Sequence, residues 1–315
     1  MMRIGNAPVS YGVYGDVAGG AAASPAGLLA TMAEAGYAGS ELGPPGFFGS
    51  AQETAALFDR ERIVAIGAYV PIHFALDGDV VERDFGGLAR TCAELAACGQ
   101  DGLVILADEG SQELLLNPAR PYADRSLALG QKAWRRLGDL VNQAIEVAGG
   151  YGLRTSFHPH ISTYVESPWE VEWLLALTDV SLTVDTGHIR LAGGDPAECL
   201  KAWRQRVNHV HIKDVRLDVL RAAQAAHRTD FDTWWARVAT ALGGGDVDID
   251  AVLAVLAGSG YDGWLVVEQD RAPTAARDYP AVAAEQAANL SWLAARVNRH
   301  RVNRHRVNRH RVNEL

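Results

Sequence analysis

The sequence is poor in cysteine and has neither a long apolar run nor a linker rich in proline, serine and glycine. Its three cysteines, Cys92, Cys98 and Cys199, form an odd set without a Cys-x-x-Cys pair, which argues against a disulfide framework and a zinc ribbon. No run of about 18 apolar residues occurs, and the first residues lack the apolar region of a signal peptide. These absences predict a cytoplasmic chain without a membrane partner.

A glycine-rich phosphate loop is also missing. No Gly-x-Gly-x-x-Gly stands between the first predicted strand and the first predicted helix, which weakens the case for a dinucleotide site. The 315 residues are 48% hydrophobic and 21% charged, an ordinary composition for a globular protein. Because no linker divides the chain, a single α/β barrel of about 250 residues is favoured over two domains.

The net charge of −9 is unevenly distributed. Arg-Val-Asn-Arg-His occurs three times in succession from residue 296, and residues 296–315 carry +6, which leaves −15 on residues 1–295. An acidic body argues against nucleic acid as a partner. We expect 296–315 to be a solvated tail, disordered or loosely helical; a basic arm or a metal-binding histidine tract is the alternative.

Short apolar runs alternate with amphipathic segments along residues 1–295. Eight runs predict strands: Ile4–Val9, Gly39–Leu42, Ile63–Val70, Gly102–Leu106, Arg154–Phe157, Ser181–Val184, Val207–Ile212 and Trp264–Val267. Six segments between them predict helices: Ala26–Ala35, Phe85–Ala97, Arg125–Ala148, Pro168–Leu177, Pro196–Gln205 and Asp250–Ala257. Eight units of strand followed by helix predict a closed (β/α)₈ TIM barrel as a single catalytic domain.

Histidine and acidic residues concentrate where these strands end. Of the seven histidines before residue 296, six lie at or just after a predicted strand end, and only His227 does not. The carboxyl ends of the strands converge on one mouth of a barrel, where active sites form. This clustering predicts an active site built from the following residues: Asn6, Glu41, His73, His158, His160, Asp185, His188, His211, Lys213 and Glu268.

Four of these residues are candidates for a metal site: His158, Asp185, His211 and Glu268. Imidazole and carboxylate ligands suit a divalent transition metal, and two carboxylates with two neutral imidazoles balance its charge. We expect Mn²⁺ or Co²⁺, with Zn²⁺, Fe²⁺ or Mg²⁺ as alternatives. His209 alternates with His211 along one strand, so both point to the same side, and His209 is expected to pack or to support the site from a deeper layer.

At these residues the chain resembles the xylose-isomerase-like superfamily of sugar isomerases and epimerases, and within it the inosose (2-keto-myo-inositol) dehydratase branch. The resemblance covers roughly residues 3–290. It rests on seven segments in family order: Gly5–Val13, Glu41–Pro44, Val70–His73, His158–His160, Val184–His188, His209–Arg216 and Gly263–Asp270.

The superfamily's usual metal ligands are Glu, Asp, His and Glu. The resemblance places the last three on Asp185, His211 and Glu268, whereas His158 stands where the first Glu is expected. The dehydratase branch similarly has a histidine cluster at that position. With His158 there, the chain lacks one of the two glutamates that epimerases use as a facing acid and base. Val9-Ser10-Tyr11 also departs from the family's Cys-Ser-Trp.

The resemblance implies a metal-dependent lyase of inositol catabolism that eliminates water from a cyclic polyhydroxy ketone. Two groups of roles follow for residues of this sequence. Catalysis is assigned to His160, His188 and Glu268. Contact with a polyol or keto-sugar substrate is assigned to Asn6, Glu41, His73, Lys213 and Arg216.

Three other functions remain open at this point. A sugar or sugar-phosphate isomerase or epimerase would share the removal of a proton next to a carbonyl. An AP-endonuclease-like phosphodiesterase would need a three-zinc cluster and a basic DNA face, which the acidic body disfavours. An inactive barrel could serve as a binding module, and a homo-oligomer is possible.

Overall fold

The computed structural model describes residues 2–13, 15, 23–99, 102–116, 121, 123–226 and 237–312, with side chains up to residue 300. Eight strands are involved in the barrel: β1 Arg3–Asn6, β2 Gly39–Glu41, β3 Val64–Ile72, β4 Leu103–Asp108, β5 Arg154–Phe157, β6 Leu182–Asp185, β7 Val207–Ile212 and β10 Trp264–Val267. They close in the order β1-β10-β7-β6-β5-β4-β3-β2 with every neighbouring pair parallel. The predicted (β/α)₈ barrel is therefore confirmed.

Helices follow the strands and cover the outside of the barrel. Among the described residues they are a 3₁₀-helix at Pro8–Tyr11, α1 Pro25–Ala35, α2 Ala51–Glu61, α3 Asp79–Ala97, α4 Gln112–Leu115, α5 Gln131–Gly150, α6 Pro168–Leu177, α7 Thr186–Leu191, α8 Pro196–Trp203, α9 Leu217–Ala225, α10 Ile249–Ser259 and α11 Tyr279–Val312. Two short strands, β8 Asp214–Val215 and β9 Ala239–Thr240, pair antiparallel in the segment after β7.

Local sequence explains where these helices begin and end. Pro168 and Pro196 lie in the first turns of α6 and α8, as predicted, where a missing N–H costs nothing. Helix α8 is capped by Asp195, whose carboxylate accepts the N–H groups of Ala197 and Glu198. The predicted end of α1 at Gly36 is confirmed by a left-handed φ of 97°.

The structure corrects several predicted boundaries. Strand β1 ends at Asn6 rather than Val9, because Pro8 has no N–H for a ladder and starts a 3₁₀-helix. Helix α3 starts at Asp79, six residues before the prediction. Helix α5 starts at Gln131 instead of Arg125.

Alternation along the strands separates the core from the site. In β7, Val210 and Ile212 pack into the main hydrophobic core between sheet and helices, so His209 and His211 point into the barrel. The parallel register pairs Asp185 of β6 with His211. Polar residues at neighbouring strand ends therefore reach the same level of the barrel interior.

The last helix continues from the barrel into the repeat without a break. Val297 is buried in the main core, and His300 Nε2 lies 3.4 Å from Asp250 Oδ1 of α10. Val297 and His300 of the first repeat copy thus contact the rest of the chain, and the domain boundary at 295 stays a prediction. Among the described residues, no helix is long and apolar enough to cross a bilayer. The cytoplasmic location and the homo-oligomer stay predictions.

Candidate metal centre

One buried cluster joins the four predicted metal ligands. Strands β5, β6, β7 and β10 deliver them at adjacent positions: His158, Asp185, His211 and Glu268. One ligand atom from each lies within 4.8 Å of the others, and all four side chains are buried. Among described residues, the structure brings together the four residues predicted at these strand ends, in a volume that a single cation could fill.

Asp185 is fixed by the helix that it starts. It is the N-cap of α7, and its Oδ1 accepts the backbone N–H of His188 at 2.8 Å. Oδ2 is thereby turned toward His158 Nε2 at 3.6 Å and His211 Nδ1 at 3.7 Å. These distances are too long for hydrogen bonds.

Several buried atoms of the cluster have no hydrogen-bond partner in the described structure. They are both ring nitrogens of His158, Oδ2 of Asp185 and Nδ1 of His211. His211 Nδ1 lies 2.6 Å from Glu268 Oε2 but without hydrogen-bond geometry. Unsatisfied buried polar atoms are costly, and three of these, His158 Nε2, Asp185 Oδ2 and His211 Nδ1, face one another as the ligands of a cation do. The residues present therefore fit a divalent metal ion.

Lys213 supplies a positive charge beside this cluster. Its ammonium lies 2.6 Å from Asp270 Oδ2, 2.9 Å from Glu268 Oε1 and 3.2 Å from Asp185 Oδ2. Burial alone would lower the pKa of Lys213, but the three carboxylates raise it above its usual range. The side chain is therefore a permanent cation inside the barrel.

Two further predicted residues, His160 and His188, lie next to the cluster with ring centroids 3.9 Å apart. His188 Nε2 lies 2.8 Å from Lys213 Nζ, and His160 Nδ1 lies 2.7 Å from the carbonyl oxygen of Ile161. Burial, with the charges of His158 and Lys213, lowers the pKa of His160 to about 3. Burial, with His160 and Lys213, also lowers the pKa of His188 well below its usual value. Both imidazoles are neutral at pH 7.

Glu41 lies behind the metal ligands. Its Oε1 is 2.8 Å from His211 Nε2 and 3.0 Å from His209 Nε2, and the carboxylate is buried. Burial alone would raise the pKa of Glu41, but the charge of His211 and hydrogen bonds from both histidines lower it to about 2. His209 points inward with His211, as the alternation predicted.

Three other predicted substrate contacts pair with residues outside the cluster. Asn6 is buried and donates to Gln286 of the last helix at 3.3 Å. At the barrel rim, His73 Nδ1 lies 2.8 Å from Asp84 Oδ2. Arg216 is exposed and pairs with Asp218 at 2.8 Å. Their predicted role in substrate binding stays a prediction.

Sequence reasoning gave no role to three residues near the site. Asp270 holds Lys213, and the ring of Tyr69 meets that of His158 edge-on at a centroid distance of 6.1 Å. Asp108 is buried at the end of β4. Asp270 lies in the last strand-end motif, close in sequence to Glu268. A search for an acidic partner of the buried Lys213 could therefore have identified it. Strand β4 was predicted to end at Leu106, which concealed Asp108.

The fold and this cluster define a (β/α)₈-barrel protein with a histidine and carboxylate centre at the carboxyl ends of its strands. The sequence profile described as xylose isomerase-like TIM barrel matches residues 29–295. The chain belongs to that family.

Curated relatives match over most of the chain. An inosose dehydratase of Geobacillus kaustophilus is 30% identical over 283 residues, 88% of this chain and 90% of that protein. The rhizopine catabolism protein MocC of Rhizobium meliloti is 33% identical over 264 residues, 79% of this chain and 75% of that protein. The prediction that the chain is an enzyme is confirmed.

Solved structures with the same fold include an L-ribulose 3-epimerase, with a TM-score of 0.71, 15% identity and 98% of both chains covered. The IolI protein with a bound zinc atom has a TM-score of 0.64 and 16% identity, and covers 96% of this chain and 98% of that one. At these identities the likeness shows the fold alone.

Proposed function

We propose that the chain is a metal-dependent lyase that eliminates water from inosose, a cyclic polyhydroxy ketone of inositol catabolism. The observation that carries the proposal is a buried cluster of four potential metal ligands with two neutral histidines, His160 and His188, beside it. The relative from Geobacillus kaustophilus, named inosose dehydratase and matching nearly the whole chain, supports the same reaction.

In this proposal a divalent ion binds between the four clustered residues: His158, Asp185, His211 and Glu268. Mn²⁺ and Co²⁺ are the first candidates, and Zn²⁺, Fe²⁺ and Mg²⁺ are the alternatives, since imidazole suits the transition metals and carboxylate suits Mn²⁺ and Mg²⁺. When bound, the ion supplies a Lewis acid for the ketone oxygen and stabilises the negative charge that develops there.

The elimination needs a group that takes a proton from the carbon next to the ketone. The contact between His160 Nδ1 and the carbonyl oxygen of Ile161 assigns the hydrogen to Nδ1, because a carbonyl only accepts. Nε2 of the neutral His160 then carries the lone pair that a base requires. Nε2 of His188 accepts from Lys213. We propose His160 as the base, with His188 as the alternative.

The proton balance closes with one imidazole. As the C–H bond breaks, its electron pair forms the new C=C bond, and the bond from the next carbon to its hydroxyl breaks. The imidazolium returns the proton to the departing hydroxyl, which leaves as water. Lys213, held as a cation by three carboxylates, orients a substrate hydroxyl and His188. We propose the half-buried His73 and the exposed Arg216 as outer substrate contacts.

The test is incubation of the purified protein with inosose and Mn²⁺ or Co²⁺ in D₂O, followed by mass spectrometry. The proposal expects a product lighter by one water. A sugar epimerase or isomerase would instead return an isomer of unchanged composition with deuterium at the exchanged carbon. Incubation with a ketose panel in the same solvent identifies that alternative directly.

A further inference from the structure

Glu41 reaches the metal cluster from a distant strand. It ends β2, and β2 is separated from β7 by β1 and β10 in the order of the barrel. Its side chain therefore crosses the barrel interior to meet His209 and His211. A buried carboxylate is costly unless donors satisfy it, and here the two histidines are the donors.

We infer that Glu41 is a positioning residue, which fixes His211 with its hydrogen on Nε2 and its lone pair on Nδ1. An ionised carboxylate can only accept, so the 2.8 Å contact from Glu41 Oε1 assigns the hydrogen to His211 Nε2. When an ion displaces the other ring hydrogen, the lone pair that it meets lies on Nδ1. This inference rests on the metal centre of the proposed function.

The other side of the ring faces the proposed metal site. His211 Nδ1 lies 2.6 Å from Glu268 Oε2 and 3.7 Å from Asp185 Oδ2. Without an ion, a contact this short to a carboxylate favours a hydrogen on Nδ1, and metal binding displaces that hydrogen. In the metal-bound protein the opposite tautomer would keep a hydrogen on Nδ1 and turn a lone pair toward the carboxylate of Glu41.

His209 holds the carboxylate in place. Its Nε2 lies 3.0 Å from Oε1 of Glu41, the oxygen that His211 also contacts. Two donors on one oxygen restrict the Glu41 side chain to one orientation. A negative charge behind a metal-bound imidazole also makes the ring more basic and a stronger ligand. Glu41 therefore acts on the metal through His211 and need not touch the substrate.

A second cation between Glu41, His209 and His211 is the competing arrangement, since their ligand atoms also lie within 4.8 Å of one another. His211 would then bridge two ions. The two arrangements differ in the number of ions bound and in the effect of removing the Glu41 charge. If Glu41 is a positioning residue, removing its charge leaves the number of bound ions unchanged and weakens the affinity for the ion.

The first experiment is calorimetric titration of the full-length wild type and the Glu41→Gln variant with Mn²⁺. We expect one ion in both, bound about 10- to 100-fold more weakly by the variant, as is typical when the outer partner of a ligating histidine is lost. Glu109→Gln, which removes the same charge from an exposed position after β4, should change the affinity less than about twofold. An unchanged affinity in Glu41→Gln, or two ions in the wild type and one in the variant, overturns the inference.

The second experiment needs no variant. Long-range ¹H–¹⁵N spectra of the Zn²⁺-loaded wild type should show His211 with hydrogen on Nε2 and metal on Nδ1. Coordination through Nε2 overturns the inference. A wild type that binds no metal overturns both the metal centre and the inference. A protein that gives both expected results but leaves inosose intact overturns the proposed function alone.

Discussion

Lys213 Nζ lies 2.6 Å from Asp270 Oδ2, inside a barrel where both side chains are shielded from water. The same ammonium contacts Asp185 and Glu268, which the proposed function assigns to the metal. A permanent cation therefore shares its counter-charges with the metal site. We expect this arrangement to stabilise the three buried carboxylates when no ion is bound.

Replacing Lys213 by methionine should destabilise the metal-free protein by about 3–5 kcal/mol at pH 7, because three buried carboxylates lose their cation. Urea unfolding in the presence of EDTA measures the difference. Lys201→Met is the matched control, since Lys201 is exposed and pairs with Glu198 on its own helix. It should cost less than about 1 kcal/mol. Equal effects of the two variants would contradict the role given to Lys213.

Asp108 should make stability depend on pH. It is fully buried, and its Oδ2 accepts the backbone N–H groups of Tyr164 and Gly110. Burial, only partly offset by these bonds, raises the pKa of Asp108 to about 7. A group whose pKa is raised on folding contributes stability that is complete below its unfolded pKa, about 3.9, and is lost as the pH rises through 7.

The Asp108→Asn variant should therefore lose less stability than the wild type between pH 4 and pH 7. Asparagine keeps an acceptor for both backbone N–H groups and does not ionise. Urea unfolding at several pH values gives the two slopes. Asp139→Asn, at an exposed position on α5, should leave the wild-type slope unchanged. Parallel curves for Asp108→Asn and the wild type would refute this account of Asp108.

The repeat should be dispensable only beyond its first copy. We propose that a chain shortened after residue 300 unfolds at the wild-type urea concentration. Shortening after residue 295 should lower the free energy of unfolding by about 1.5–3 kcal/mol, because Val297 is removed from the core. The same truncation removes the contact of His300 with Asp250. Equal stability of the two shortened chains would show that the barrel domain ends at 295, as the sequence predicted.

The barrel and the clustering of the four proposed ligands could be predicted because each depends on the pattern of residues within single strands. Apolar residues at alternate positions turn His209 and His211 inward, and polar residues at the ends of parallel strands must converge. The same reasoning identified Asp185 and Glu268 without knowledge of their contacts.

What could not be predicted depends on contacts between distant strands. Glu41 was predicted to bind substrate, which stays a prediction, and its contact with His211, 170 residues away in sequence, was not foreseen. The partner of Lys213 was equally hidden, because Asp270 lies on another strand and acidic residues are common at strand ends. Side-chain rotamers and distances across the barrel decide these pairings, and neither can be read from the pattern of residues along a strand.

The rate of water loss from inosose, measured with and without metal, tests the central claim most directly. The account predicts loss of water by the wild type with Mn²⁺ or Co²⁺, almost none after EDTA treatment, and recovery when the ion is restored. Glu268→Gln should lose nearly all activity, whereas Glu198→Gln, at an exposed position on α8, should keep it. Full activity after EDTA treatment, or in Glu268→Gln, would contradict the account.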